Sequence, residues 1–403
     1  MDLSFTSVTV VAAVSLAAPL ALGLTGLRLP AIVLEILLGI VVGPEVLDWA
    51  SFDQPVQVLS LIGLAFLLLL AGLEIDFDQL RGPVLRLTAF AWIVSFGLAL
   101  IVGFGLRAGD LVRSPLLMAI ILSATGLGIV LPILKDAGET ATPFGRVIIA
   151  GASIAEVVPI VLLSLFFSGE SSGIGAKLAL LVAFVLFVVA VGATIFGLER
   201  STRVSQTLLR LQDTTAEIRV RGAFLLLVLF VALASSFGLE AILGAFLAGA
   251  TLKLVDRDQG MTHAFFHKKL EAAGYGIFVP FFFVSTGLRL DIGALFSSSS
   301  ALARVPVFLA AMLLVRAVPA MLYRPLADRS SQLVAAGLLQ ATSLSIPIVA
   351  GQIGVDLGLI RPINYVALVA AGLLSVIIFP LASLSRLRPL SMRRQVGAGA
   401  RMA

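Results

Sequence analysis

The chain has 403 residues, of which 59% are hydrophobic and only 13% carry a charged side chain, and its mean hydropathy is +1.10. Soluble domains carry charges on about 25% of their residues, so this composition excludes an ordinary soluble domain and predicts a polytopic membrane protein. The formal net charge of +5 arises from basic residues that lie between apolar runs and not in one patch, so no nucleic-acid partner is expected. The absence of cysteine excludes a disulfide framework and a thiol site.

Thirteen apolar runs along the chain have the length and composition of membrane-spanning helices. The second and ninth runs are the shortest and are rich in glycine. A signal peptide is the alternative for the first run, but no Lys or Arg precedes it, which favours a retained helix. The sequence therefore predicts an all-α membrane domain over residues 1–385, with these spans: 5–25, 29–44, 55–74, 84–107, 113–134, 144–168, 177–198, 218–238, 240–255, 269–288, 301–323, 331–354 and 362–385.

The basic residues predict the orientation of these spans. If the N-terminus lies outside, most of the 28 Lys and Arg residues fall in segments on the inner side. Positive charge is enriched on the cytoplasmic side of membrane proteins. We therefore expect a multi-pass protein of the cell's inner (cytoplasmic) membrane, with its N-terminus out, its C-terminus in and a short basic tail at 386–403 in the cytoplasm.

An internal repeat relates the early spans to the late ones. LEILLG at residue 34 resembles LEAILG at 239, GLEIDFDQL at 72 resembles GLRLDIGAL at 287, and ATGLGI at 124 resembles ATSLSI at 341. The members of each pair lie seven spans apart, an odd number, so the two halves cross the membrane in opposite directions. Inverted repeats of this kind are typical of secondary transporters. The pattern predicts two inverted six-helix repeats joined by a linker helix at 177–198.

The third pair of motifs places glycine and hydroxyl residues in the middle of apolar spans. Helix breaks at such positions expose backbone groups that lipid cannot satisfy but a protein-lined cavity can. The alternative is small residues that allow close helix packing. Recurrence in both halves favours two broken helices that cross near a bound ion. The residues concerned are Ser123, Thr125, Gly126 and Gly128 in the first half, and Thr342, Ser343 and Ser345 in the second.

One acid, Glu156, lies almost at the centre of the run VIIAGASIAEVVPIVLLSLFF, which spans residues 147–167. At about 1.5 Å per residue it is roughly 15 Å from either end, near the middle of a hydrocarbon core about 30 Å thick. Acids at that depth are costly and usually functional, although a buried polar contact between helices is the alternative. Ser153 precedes Glu156 by three residues and shares its face. We expect Glu156, Ser153, Thr125 and Ser123 to bind a transported monovalent cation.

Two further charges lie within apolar spans. Arg316 lies about 12 Å from the inner end of its span, a depth similar to that of Glu156, so the two are expected to pair when no cation is bound. The alternative is that Arg316 extends to the inner surface along its own aliphatic stem. Glu35 lies in the second span, where it either lines an access route for ions or packs locally.

Enzyme chemistry finds no support, because the chain has no HExxH, G-x-S-x-G, P-loop or dinucleotide-binding motif. No cofactor is expected, and an ion gradient would have to drive transport. Two other classes stay open: a sodium-coupled symporter of an organic anion, and a membrane sensor that transports nothing. The hydroxyl groups, the one acid and the one base near the midplane favour a small cation over an organic solute.

The motifs LEILLGIVVGPEVL, FLLLLAGLEIDFDQLR, SATGLGIVLPILKDAG, GLEAILGAFLAGATL and VPFFFVSTGLRLD, in this order, resemble the monovalent cation:proton antiporter-2 family of the sodium/proton exchanger fold. The resemblance implies a homodimer that exchanges Na⁺ or K⁺ for H⁺. It also implies a core of helices (84–168 and 301–385) that moves like an elevator against a panel (5–74 and 218–288). Glu156 corresponds to the family's ion-binding acid, and Arg316 to its basic partner.

The chain departs from the family pattern at the ion-binding acid, which is usually Asp and is here Glu156, preceded by Ala155. A lone carboxylate binds one monovalent charge at a time, which predicts electroneutral, one-for-one exchange. Glutathione-gated relatives continue into a soluble nucleotide-binding domain, whereas this chain ends about 18 residues after its last predicted helix, so gating of that kind is not expected unless a separate subunit supplies it.

Overall fold

The computed structural model describes residues 5–26, 29–75, 82–167, 174–199, 217–255, 262–297, 299–327 and 330–387, and within these ranges the chain is helical without strands. A π-helix at Gly274–Phe278 and a 3-10 helix at Met321–Leu326 join α-helices. The α-helices are α1 (Thr6–Thr25), α2 (Ala31–Val42), α3 (Gln54–Glu74), α4 (Gly82–Ala108), α5 (Pro115–Leu122), α6 (Leu127–Asp136), α7 (Pro143–Phe167), α8 (Ile174–Glu199), α9 (Ile218–Ser236), α10 (Ala241–Val255), α11 (Thr262–Ala273), α12 (Val279–Leu288), α13 (Ile292–Phe296), α14 (Ser299–Ala320), α15 (Ser330–Gln340), α16 (Ser345–Asp356) and α17 (Pro362–Leu384).

The predicted fold class is confirmed. Among the described residues, 11 helical stretches are long and apolar enough to cross a membrane. The predicted runs 29–44 and 240–255 correspond instead to the shorter apolar helices α2 and α10, so the count of thirteen spans is approximate. A 12-residue helix such as α2 rises only about 18 Å, which is less than the hydrocarbon thickness of a bilayer.

The chain divides into two compact units. The first unit consists of Met1–Ile75 and Val161–Leu290, and the second of Asp76–Ile160 and Asp291–Ala403. Each unit is therefore assembled from two separate parts of the chain. The chain passes from the second unit into the first within α7, after Ile160, which lies four residues beyond Glu156.

Glycine at two positions allows α2 and α12 to pack closely in the first unit. A Cβ atom added at Gly39 would lie 2.2 Å from the carbonyl oxygen of Val284, and one added at Gly287 would lie 2.2 Å from that of Ile36. Any side chain at either position would separate the two backbones. These glycines belong to the repeat motifs LEILLG and GLRLD, so part of the repeat reflects this contact between helices.

Two interrupted helices cross in the second unit. The first consists of α5 and α6 with a break at 123–126, and the second of α15 and α16 with a break at 341–344. At the breaks, the backbone N–H of Gly126 donates to the carbonyl of Thr342 at 2.9 Å. Near the start of α5, the N–H of Arg113 donates to the carbonyl of Leu359, just after α16, at 3.0 Å. The two interrupted helices therefore run in opposite directions, as the inverted repeat predicts.

Local sequence accounts for the helix ends at the first break. The hydroxyl of Ser114 accepts the N–H of Leu117 at 3.2 Å and caps α5, whose first residue is proline. Gly126 has extended backbone angles (φ −82°, ψ 97°) and precedes α6. Apolar residues of α6, α7 and α15, including Leu127, Val130, Ile148 and Leu339, are fully buried in one hydrophobic cluster of the second unit. That cluster fixes the ends of the broken helices in place.

Candidate ion-binding site

Glu156 lies on α7 with 8% of its surface exposed, and its carboxylate binds the beginning of α6. The backbone N–H of Leu127, the first residue of α6, donates to Oε2 of Glu156 at 3.0 Å. The N-terminal N–H groups of a helix have no partners within the helix and carry partial positive charge, which favours an anion there. The break in the helix thus provides a position for a buried carboxylate.

The extended stretch before α6 is attached to the helix that carries Glu156. The N–H of Thr125 donates to the carbonyl of Ala155 at 3.2 Å, one residue before Glu156. The neighbouring N–H of Gly126 donates to the second break at Thr342. Three consecutive backbone N–H groups, from Thr125 to Leu127, therefore contact α7, the second interrupted helix and the carboxylate in turn.

Arg316, on α14, is 4% exposed, and among the described residues its hydrogen-bond partners are neutral oxygen atoms. Nε donates to Thr125 Oγ1 at 3.1 Å and to the carbonyl of Gln340 at 3.2 Å. Nη1 donates to Ser95 Oγ at 3.1 Å, and Nη2 donates to Oε1 of Gln340. The guanidinium thus lies at the C-terminal end of α15, where carbonyl groups carry partial negative charge. Its direct pairing with Glu156 stays a prediction.

The hydroxyl groups predicted as cation ligands are buried and donate their protons to nearby carbonyls. Ser153 Oγ donates to the carbonyl of Ile149 at 2.9 Å, and Ser123 Oγ donates to that of Ile120 at 3.1 Å. Thr125 Oγ1 donates to the carbonyl of Gln340 while it accepts from Arg316. A serine hydroxyl that donates its proton retains two lone pairs. Such oxygen atoms suit a hard cation, although their role as ligands stays a prediction.

The predicted residues of the second break have different environments. Thr342 Oγ1 donates to the carbonyl of Leu338 at 3.0 Å, and Ser345 is the first residue of α16. The backbone of Ser343 bonds in both directions to Ser375 Oγ, at 3.2 and 3.1 Å. Its own Oγ is buried and has no hydrogen bond among the described residues. In the first break, Gly126 is buried in the crossing, whereas Gly128 is an exposed residue of α6.

Sequence reasoning missed two side chains that bind Arg316, namely Gln340 and Ser95. Gln340 is 1% exposed and supplies both its carbonyl and its amide oxygen, while Ser95 is completely buried and in turn donates to the carbonyl of Val315 at 2.8 Å. Neutral polar residues do not stand out in an apolar span as a charge does. The available signal for Gln340 was its place directly before the repeat motif ATSLSI.

Glu35 is buried on α2 with 6% of its surface exposed. It belongs to the first unit, whereas Glu156, Arg316 and both breaks belong to the second. Glu35 is therefore not part of the group of side chains described above. Its place on an access route for ions stays a prediction.

Comparison with known proteins gives related transporters. The family model for the sodium/hydrogen exchanger transmembrane domain matches residues 10–384. YjbQ of Bacillus subtilis, named as a Na⁺/H⁺ antiporter, is 30% identical over 395 residues, which are 94% of this chain and 62% of YjbQ. The chain thus spans less than two thirds of that relative. GerN of Bacillus cereus, named as a Na⁺/H⁺-K⁺ antiporter, is 24% identical over 87% of this chain and 88% of its own length.

A solved structure with the same fold is that of the sodium proton antiporter MjNhaP1 from Methanocaldococcus jannaschii. It aligns with a TM-score of 0.65 at 18% sequence identity, over 94% of this chain and 98% of the other. At this level of identity the likeness supports the fold alone.

Proposed function

Because the chain belongs to the sodium/hydrogen exchanger family, we propose that it is a secondary active antiporter that exchanges Na⁺ or K⁺ for H⁺ across the membrane. Two named relatives support this proposal: YjbQ, named for Na⁺/H⁺ exchange, and GerN, whose name includes both Na⁺ and K⁺. No enzymatic step is part of the proposed activity. A transport assay with Na⁺, K⁺ and Li⁺ identifies the cation that this chain prefers.

The observation that carries the proposal is the carboxylate of Glu156 at the start of α6. A charge in the middle of a membrane helix needs a partner, and here the Leu127 N–H donates to it at 3.0 Å. An ionised carboxylate offers about four lone-pair sites, so one backbone bond does not exhaust its capacity to bind a proton or a cation. Hydroxyl oxygens of Ser153, Ser123 and Thr125 supply the expected further ligands.

The proposed cycle is competition for Glu156. The carboxylate holds either a proton or one monovalent cation, and the second unit reorients only when that charge is neutralised. One carboxylate neutralises one positive charge, so each cycle exchanges one cation for one proton and is electroneutral. In the proposed elevator motion the second unit carries the ion and the first unit stays fixed in the membrane, in a homodimer with its N-terminus outside the cell.

The test is the Glu156→Gln variant in everted vesicles from a host that lacks its own antiporters. A pH gradient is established, then NaCl, KCl or LiCl is added while a pH-sensitive dye reports dissipation of the gradient. We expect at least one cation to dissipate the gradient with the wild-type protein and none to do so with Glu156→Gln. The glutamine retains an oxygen that can accept the Leu127 N–H, so the variant should still insert and fold.

Glu139→Gln is the matched control and should retain exchange. Glu139 is another buried acid of the second unit, with 4% of its surface exposed. It lies outside the helices and accepts a hydrogen bond from Thr142 at 2.9 Å. Cation-dependent proton movement in the Glu156→Gln variant would contradict the proposed role of Glu156. If the wild-type protein moved no proton with any of the three cations between about pH 6.5 and 9, antiport itself would be wrong, and sodium-coupled solute uptake would be measured next.

A further inference from the structure

Gln340 is the last residue of α15 and connects three parts of the second unit. Its side-chain nitrogen donates to the carbonyl of Ile148 on α7 at 3.0 Å, and its side-chain oxygen accepts from Arg316 on α14. Its backbone carbonyl accepts from Thr125 Oγ1, in the first break, and from Arg316 Nε. With 1% of its surface exposed, Gln340 has every polar atom of its side chain bonded to a neighbour.

The amide of Gln340 is oriented by its contact with α7. An amide can present either its oxygen or its nitrogen to a neighbour. Because the nitrogen donates to the Ile148 carbonyl, the oxygen must face the guanidinium, to which it is a suitable acceptor. Gly151, one turn after Ile148, leaves room for this group: a Cβ atom there would lie 2.7 Å from the amide nitrogen. The contact is therefore specific and closely packed.

The position of Arg316 matters because the guanidinium is a permanent cation bonded to Thr125, two residues before Leu127, whose N–H binds the carboxylate of Glu156. Arg316 bonds to the Oγ1 of Thr125, and the N–H of the same threonine bonds to Ala155, next to Glu156. An arginine released from its neutral acceptors could turn to the carboxylate of Glu156. It would then compete with Na⁺, K⁺ or Li⁺ as a tethered cation.

We propose that Gln340 is a positioning residue that holds Arg316 at the C-terminal end of α15 and so sets the affinity of the site for the transported cation. The proposal rests on the proposed role of Glu156. Gln340 itself touches no ion. Its contribution is to provide Arg316 with a neutral acceptor, so that the guanidinium does not take the place of the transported cation on Glu156.

The expected result for Gln340→Ala is a KM for the transported cation that rises about tenfold, within the usual range of coupling between sites, while kcat at saturating cation stays within about twofold. Saturating cation displaces the competing guanidinium, which is why kcat is retained. Both constants are measured with purified protein in proteoliposomes at one fixed pH.

A second substitution separates this role from simple packing. In the double variant Gln340→Ala with Arg316→Gln, the tethered competitor is gone, so KM should return to that of Arg316→Gln alone. Gln332→Ala, at a second buried glutamine of α15, is the matched control and should leave KM unchanged.

The outcomes are distinct. A raised KM in Gln340→Ala that Arg316→Gln reverses supports the proposal. An unchanged KM, or a raised KM that persists in the double variant, overturns it. If Gln340→Ala cannot be purified as a folded protein, Gln340→Met, which fills a similar volume without an acceptor for Arg316, replaces it with the same expectation. Failure of the Glu156 mechanism would appear separately, as exchange that survives in Glu156→Gln.

Discussion

Glu156 is held by a fixed donor, and in the proposed cycle it also exchanges its charge partner, two requirements that a buried acid seldom meets together. The backbone N–H of Leu127 cannot move away without disturbing the first turn of α6, so one oxygen atom has a constant partner. Backbone donors of this kind carry no net charge. In the proposed cycle, a proton or a cation supplies the positive charge that such a donor lacks.

Glu156→Asp tests the length of this side chain. Aspartate withdraws the carboxylate by roughly 1.5 Å, one carbon–carbon bond, so the bond of 3.0 Å to Leu127 would be lost. We expect exchange to persist, because an acid is still present, but kcat/KM for the cation to fall about tenfold or more through misplacement of the carboxylate. Initial rates of dye recovery against cation concentration measure this effect.

Glu139→Asp provides the same shortening at a buried acid outside the helices of the second unit. Its kcat/KM should equal that of the wild-type protein. Equal constants for Glu156→Asp and the wild type would mean that the bond to Leu127 has no part in ion binding.

The sequence allowed the prediction of charged residues better than that of their neutral partners. Glu156 and Arg316 stand out because each is a lone charge in an apolar run, and the cost of burying a charge in lipid makes such positions conspicuous. Gln340 is uncharged and the Leu127 N–H is a backbone group, so neither stands out in the sequence. Their roles depend on how separate segments cross in space, and Gln340 lies 192 residues from Ile148, to which it donates. Sequence periodicity does not report that geometry.

At the scale of helices, the acid and the base each complement one end of a broken helix. The carboxylate of Glu156 lies at the N-terminus of α6, and the guanidinium of Arg316 lies at the C-terminus of α15. These are the signs that the helix dipole favours. The interrupted helices thus stabilise the two opposite charges separately, each through the end of a different helix.

Gly151→Ala tests whether packing between α7 and Gln340 controls the site. The new Cβ atom would lie 2.7 Å from both the Gln340 amide nitrogen and the Tyr323 hydroxyl, so the amide must shift. Alanine favours helix over glycine by about 1 kcal/mol, so α7 itself should not be weakened. We expect a higher KM for the cation, as in Gln340→Ala, measured in the same proteoliposome assay.

The control for this prediction is Gly97→Ala on α4, where an added Cβ atom meets no other atom within 4 Å. It should leave KM and kcat unchanged. If Gly151→Ala behaved in the same way as Gly97→Ala, the contact between α7 and the amide would have no influence on ion binding.

Helix breaks and short helices differed in how well the sequence predicted them. The breaks at 123–126 and 341–344 were predicted, because glycine and hydroxyl residues recur at the same place in both halves of the repeat. The bounds of α2 and α10 were predicted to within two residues, but both runs were predicted as membrane spans and form shorter apolar helices. In α2 the helix ends before Gly43, whose extended backbone (φ −74°, ψ 176°) begins a turn.

At the scale of the whole chain, the side chains of the proposed site belong to one compact unit. Glu156, Arg316, Gln340 and both helix breaks all lie within Asp76–Ile160 and Asp291–Ala403. Because the residues of the proposed site lie in one unit, that unit can move as a rigid body without rebuilding the site. This arrangement is consistent with the proposed elevator motion, in which access changes while the contacts of the ion stay the same.

Alternating access predicts that a thiol beside Glu156 is reached from both sides of the membrane, but not at the same time. The chain has no cysteine, so Ser153→Cys would provide its only thiol. Ser153 lies one turn before Glu156 and is 1% exposed, and the replacement changes its size little. We expect a membrane-impermeant maleimide to label it slowly from either face in oriented vesicles. Saturating Na⁺, K⁺ or Li⁺, whichever is transported, should reduce the labelling rate, because Glu156 and the remaining hydroxyl ligands hold the ion beside the thiol.

Ser235→Cys, at an exposed position near the end of α9, is the control and should be labelled from one face only, at a rate that does not depend on the cation. Labelling of Ser153→Cys from a single face under all ionic conditions would contradict alternating access.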